Sequence, residues 1–236
     1  MIPPIASNFV AGESPAAALD HTARTNDDDV KVILNLLGEH YEEPENAAAD
    51  TKAYRALVRD IADSDVDACI SVKPSQIGLD IGDDVFTSNY RSIVETAQDA
   101  GVFVWCDMED ADTTDVTLDA FEEFAREFDG GVGQCVQANL KRTSDDLERL
   151  ADVPGKIRLV KGAYDEGGEI AYTEKSKVNE RYREDLETLF ADYEGEIAVG
   201  SHDPEMIDYA RDLREEYGRE FEIQMLMGVR EDAQRD

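Results

Sequence analysis

Apolar residues in this chain gather into seven short runs, and each run is followed by a longer stretch in which they recur at helical spacing. The runs are Val30–Glu39 (VKVILNLLGE), Ala68–Pro74 (ACISVKP), Val102–Glu109 (VFVWCDME), Val132–Leu140 (VGQCVQANL), Ile157–Ala163 (IRLVKGA), Glu196–His202 (EIAVGSH) and Phe221–Gly228 (FEIQMLMG). Their continuity and β-branched content are those of strands buried on both faces in a parallel sheet. The intervening stretches are amphipathic helices with identifiable ends. Leu118, Phe121, Phe124, Ala125 and Phe128 precede Gly130-Gly131, and Tyr182, Leu186, Leu189, Phe190 and Tyr193 precede Gly195. Asp203-Pro204 reads as an N-cap followed by a first-turn proline, with Gly218 as that helix's stop.

Run starts lie 25–39 residues apart, the length of a βα repeat. Alternation of this kind predicts an α/β protein, either a barrel or a doubly wound open sheet. No G-x-G-x-x-G loop follows an early run, as a dinucleotide-binding sheet would show. Polar groups instead end nearly every run: Glu39, Lys73, Asp107 and Glu109, Gln137, Lys161, Ser201 and His202. That convergence favours a (β/α)8 TIM-type barrel, whose chemistry sits at the carboxyl ends of its strands. Residues 1–236 read as one domain, with no linker or low-complexity segment.

Composition narrows the partners. The 236 residues carry 23 Lys+Arg against 55 Asp+Glu, a net charge of −32. This excess excludes nucleic-acid binding through a basic footprint and electrostatic docking to anionic lipid. With 8 Lys against 15 Arg, the balance is that of a chain adapted to high salt, where self-repulsion is screened. An ordinary acidic mesophilic enzyme is the alternative. Met1-Ile2-Pro3-Pro4 has neither the basic nor the apolar region of a signal peptide, and no stretch approaches the ~18–20 apolar residues of a membrane span. A cytoplasmic location is expected. Cys69, Cys106 and Cys135 are widely spaced within apolar runs and read as reduced, structural residues.

Among the strand-end groups, Lys73 suits carboxylate binding or, if desolvated, a Schiff base. Asp107, between Cys106 and Met108, reads as partly buried, whereas Glu109 and Asp110 read as solvated loop acids. Arg158 interrupts an apolar run and needs an anionic partner, either Asp107 or an electron-rich cofactor atom. Strand alternation sets Arg158 and Lys161 on opposite faces unless the backbone bends at Gly162. Ser201 and His202 precede a capped helix start, a natural phosphate site. Gln137 is equally a ligand contact or a satisfied core amide. Three scattered histidines, without H-x-H or H-E-x-x-H, argue against a metal enzyme.

Taken in order, Leu34–Glu39 (LNLLGE), Ser71–Ser75 (SVKPS), Asp107–Glu109 (DME), Gln137–Arg142 (QANLKR), Arg158–Tyr164 (RLVKGAY), Ser201–Asp203 (SHD) and Phe221–Leu226 (FEIQML) resemble the successive strand-end motifs of the proline dehydrogenase family. The resemblance implies an FAD-bound βα barrel that oxidises L-proline to Δ1-pyrroline-5-carboxylate and passes electrons to a quinone, at the membrane surface. It makes Lys73 similar to the lysine that contacts the substrate carboxylate, and Asp107 and Arg158 similar to the active-site acid and the arginine beside flavin N5. Met108, Gln137, Lys161, Gly162, Ala163, Ser201 and His202 match flavin contacts, and Leu226 the leucine that packs on the proline ring. Ser201 stands where threonine is common. The family's last unit carries Tyr-x-x-Arg-Arg, whose arginines clamp the carboxylate, and this chain has no adjacent arginine pair. Only Val229–Asp236 follows the seventh run. The expectation is therefore a barrel with seven strands encoded and the eighth unit missing, with association through its bare strand edges. A non-catalytic remnant that keeps flavin affinity is the second reading, and a Schiff-base or metal-assisted lyase using Lys73 and the Asp107 cluster is the third.

Overall fold

The computed structural model describes residues 10–229; the Met1–Pro4 opening and the segment beyond Val229 lie outside them. In chain order the elements are α1 (Pro15–Asn26), β1 (Val32–Leu34), α2 (Pro44–Ala62), β2 (Ala68–Val72), α3 (Asp83–Ala100), β3 (Val104–Cys106), α4 (Thr114–Glu127), β4 (Val132–Gln137), α5 (Thr143–Leu150), β5 (Lys156–Val160), α6 (Lys175–Asp192), β6 (Glu196–Gly200), α7 (Pro204–Tyr217) and β7 (Phe221–Gln224). Six of the runs contain a strand whole and β5 begins one residue ahead of its run, at Lys156; each strand stops short of its run's polar end, which becomes a loop. None of the described helices is long and apolar enough to cross a membrane.

The chain divides into two compact units, residues 1–105 with 225–236, and residues 106–224, with the boundary inside β3. In neither unit does strand order reverse: it is β1-β2-β3 in the first and β4-β5-β6-β7 in the second. Sequential parallel order is the barrel arrangement; a doubly wound sheet reverses at its switch point.

In the first unit β1 pairs in parallel with β2, Ile33 opposite Cys69, and the Ile70 amide donates to the Phe103 carbonyl at 3.2 Å. Leu57, Val58 and Ile61 of α2 and Phe86, Tyr90, Ile93, Val94 and Ala97 of α3 are buried at the three- and four-residue spacing that puts them on one helix face. Gly101 closes α3 at φ 69, a left-handed conformation that a side chain would strain. A polar network ties the loop after β1 to the turn after β2. Tyr54 donates to Gln76 Oε1 at 3.0 Å and accepts from the Leu36 amide at 3.2 Å, while Gln76 Nε2 donates to Asp50 at 2.6 Å. Gln76 is fully buried, and these bonds satisfy both ends of its amide.

In the second unit β4, β5, β6 and β7 are parallel neighbours. All six residues of β4 are buried, as the continuous apolar run predicts. On β5 burial alternates: Ile157 and Leu159 are fully buried, while Lys156, Arg158 and Val160 share the other face, partly accessible. Tyr182 of α6 donates to the Leu159 carbonyl at 2.9 Å and fastens that helix over β5. Leu186, Leu189 and Phe190 complete the buried face of α6, and Phe190 meets Phe221 of β7 edge to face at 5.8 Å. The α7 boundaries are those expected: Asp203 caps the Glu205 amide at 3.1 Å, Pro204 opens the first turn, and Gly218 ends the helix at φ 66.

Asp185 of α6 is buried against α5, where Ser144 donates to its Oδ1 at 2.9 Å and Oδ2 finds no donor among the described residues. Burial pushes its carboxyl up to about 6 from the ordinary 3.8, against the opposing pull of Ser144 and Arg181. The folded state therefore holds this proton more tightly than the unfolded one. The stabilisation is full below the unfolded value and is lost as pH rises through about 6. Asp185→Asn, which does not titrate, should gain on the wild type by roughly 2–3 kcal/mol between pH 4 and pH 7 in urea unfolding. A stability difference that stays constant across that range would contradict this assignment.

Candidate active site

Four parallel strands and the end of β3 deliver the polar groups of the second unit to their carboxyl ends. Arg158 comes from β5 with a side chain only 12% exposed, and its Nη2 is ion-paired with Asp107, just past β3. Burial alone lowers a guanidinium's pKa, but the Asp107 carboxylate beside it outweighs that and raises it. Arg158 therefore stays charged. On its other side Nη1 donates to Gln224 Oε1 of β7 at 3.2 Å. Cys106 and Cys135 are buried and free, and burial pushes both thiols up, which keeps them neutral packing groups.

Lys161 follows β5 and points elsewhere. Its Nζ donates to Asp203 Oδ2 and Asn179 Oδ1, both at 2.6 Å. The Lys161 hydrogen bond holds the Asp203 carboxyl below the usual range despite partial burial, so one aspartate both caps α7 and binds the lysine. Arg158 and Lys161 thus serve separate clusters, as strand alternation predicts. Just after Lys161 the backbone turns at Gly162 with φ 104, and a Cβ there would overlap the Asn139 carboxamide. Only glycine fits that approach. Asn139 is buried, and among the described residues its Oδ1 accepts no hydrogen bond.

Gln137 ends β4 at 2% exposure and donates to the Glu109 carbonyl at 2.8 Å, so its N–H is satisfied within the protein. Glu109, expected as a solvated loop acid, is instead 2% exposed, with the Tyr164 hydroxyl 3.4 Å from its Oε1. Residue type alone hid this, because acids in loops of so acidic a chain are usually solvated. Met108 and Ser201 are buried, His202 is half-buried and Ala163 is exposed. Ser201 Oγ accepts from the Asp203 amide at 3.1 Å and shapes the turn into α7.

Two predicted site residues belong to the first unit. Lys73 follows β2, and its Nζ pairs with Glu39 of the loop after β1 at 2.5 Å; the lysine is the less exposed partner. This hydrogen bond lowers the Glu39 carboxyl below its ordinary value. Leu226 is 71% exposed. The structure also adds residues that pattern reading passed over. Gln224 lies inside a quoted motif but carried no charge to mark it. Asn139 and Asn179 are neutral amides whose role depends on what packs beside them.

A row of charged and amide side chains at the carboxyl ends of parallel strands defines a βα-barrel enzyme site. The proline dehydrogenase family model matches residues 18–236, and the chain belongs to that family. It is 32% identical over 234 residues to proline dehydrogenase 2 of Bacillus subtilis, covering 97% of this chain and 76% of that one. It is 33% identical over 238 residues to the Deinococcus radiodurans proline dehydrogenase, with 98% and 76% covered. In fold it is similar to proline utilization A (PutA) from Bdellovibrio bacteriovorus inactivated by N-propargylglycine, with a TM-score of 0.89 at 23% identity over 98% of this chain. PutA from Corynebacterium freiburgense gives 0.84 at 21%, also over 98%. The chain spans less than a third of either PutA chain, 29% and 27%.

The Arg158–Asp107 pair carries a direct test. Asp107→Ala leaves a charged guanidinium buried without this partner and should cost about 3–5 kcal/mol in urea unfolding. Adding Arg158→Met should recover most of that loss. Equal destabilisation by the single and double variants would show that the two side chains do not depend on each other.

Proposed function

We propose that this chain oxidises L-proline to Δ1-pyrroline-5-carboxylate with FAD as the hydride acceptor, and that a quinone takes the electrons onward. Family membership supports the reaction. The observation that carries the site assignment is Arg158, a largely buried cation of β5 held by Asp107 just past β3. FAD, when bound, supplies the two-electron acceptor for the hydride leaving the proline ring.

The residues present fit that group. Arg158 offers a fixed positive charge where negative charge accumulates on reduction, and Asp107 holds it there. The buried, donor-free Asn139 Oδ1 suits the ring N–H that a flavin carries. Lys161 and the start of α7 suit the anionic part of the cofactor, with Ser201 and His202 beside them. Gln137, Met108, Gly162 and Ala163 complete the proposed contacts, of which Gly162 allows the closest backbone approach. Lys73 is assigned to the substrate carboxylate. It already binds a carboxylate, that of Glu39, and a substrate anion would compete for the same ammonium. Leu226 presents the apolar contact for the ring.

In this reading the protein's work is orientation. The substrate anion is fixed at one end, and a cation waits where charge develops. The net charge of −32 repels anionic lipid, so approach to a membrane-held quinone improves as salt screens the repulsion. The test is anaerobic. Purified in high salt and loaded with FAD, the chain should show flavin absorbance that bleaches on adding L-proline. A yellow protein that proline does not bleach would favour the non-catalytic reading.

A further inference from the structure

We propose that Gln224 is a positioning residue for Arg158, reaching it across β6 through a lane kept open by Ala198 and Gly200. The proposal rests on the reading of Arg158 as the cation beside the flavin.

Register sets the geometry. Arg158 is opposite Ala198, which is opposite Glu222; Val160 is opposite Gly200, which is opposite Gln224. Arg158 and Gln224 are thus two strands apart, roughly 10 Å across the sheet, and two residues apart along it. An arginine spans that distance only if the strand between carries nothing bulky on the same face. The β6 positions there are alanine and glycine. A Cβ on Gly200 would stand 3.2 Å from Arg158 Cγ and 2.7 Å from Val160 Cγ1, so even alanine forces the neighbours to move.

The amide orientation is fixed as well. Gln224 Nε2 donates to Glu222 Oε2 at 3.1 Å, which turns Oε1 toward Arg158 Nη1 at 3.2 Å. Glu222 is in turn ion-paired with Lys156, which also holds Glu196 at 2.8 Å. Lys156, Glu222, Gln224, Arg158 and Asp107 form one chain of alternating donors and acceptors along this face. Asp107 holds one side of the guanidinium and Gln224 the other, so the fork cannot turn about its ion pair.

Two measurements test this. In the flavin-free chain, a double-mutant cycle of Gln224→Leu with Arg158→Met should show coupling of about fivefold or more in the unfolding equilibrium constant. Strictly additive effects would overturn the contact, whether or not the protein oxidises proline. In the FAD-loaded chain, Gln224→Leu and Gly200→Ala should each lower kcat about tenfold or more with KM within about threefold, and shift the flavin absorbance maxima. Wild-type kcat and spectrum in Gln224→Leu would overturn the positioning role. A wild type that proline does not reduce would count against the proposed function and leave the cycle to decide the contact.

Discussion

A guanidinium cannot shed its charge, and one placed in the interior of a sheet obliges its surroundings to answer it. Arg158 occupies the partly accessible face of β5, with the buried Ile157 and Leu159 facing the other way. Asp107 beyond β3 and Gln224 on β7 each commit a side chain to it. Small residues on β6 leave it room. Fixed partners offset the cost of desolvating this charge, so the cation is oriented before any ligand arrives. Such prior orientation is what makes a charge useful in a transition state.

The second cation cluster solves a different problem. Lys161 is tied to Asp203 and Asn179, and Asp203 also caps α7. A single carboxylate thereby links the exit of β5 to the entry of a helix. Arg158 and Lys161, three residues apart, serve the two clusters because strand alternation points them apart, and the backbone turns at Gly162 just beyond them. In the first unit, Lys73 and Glu39 are carried by loops that the buried Gln76–Tyr54–Asp50 network fastens together. Lys73 and Lys161 sit just past strand ends and Arg158 lies within β5, while the acidic excess is spread over the helices. The net charge of −32 consequently speaks to the solvent more than to the substrate.

Much of this was legible in the chain before its folding was known. Each of the seven runs marks one of the described strands, β5 starting one residue early, because parallel strands buried on both faces leave a continuous apolar signature. Asp203-Pro204 and Gly218 bound α7 because caps act locally. The anionic partner that Arg158 required is Asp107, one of the two alternatives that residue chemistry offered. What escaped depends on distant packing. Glu109 has the composition of a loop acid, and only the fold buries it. Gln224 gains meaning from a residue two strands away, through a gap that no local pattern marks. Asn139 is significant only because Gly162 lies against it.

The central claim is that the charge of Arg158 acts on the bound cofactor, and the two-electron reduction potential of the flavin reports that charge directly. A neighbouring cation stabilises the reduced, anionic ring, so Arg158→Met should lower the potential by at least about 30 mV, equivalent to ~1.4 kcal/mol. An unchanged potential in a variant that still binds FAD would contradict the account, because Arg158 would then serve the fold and not the reaction.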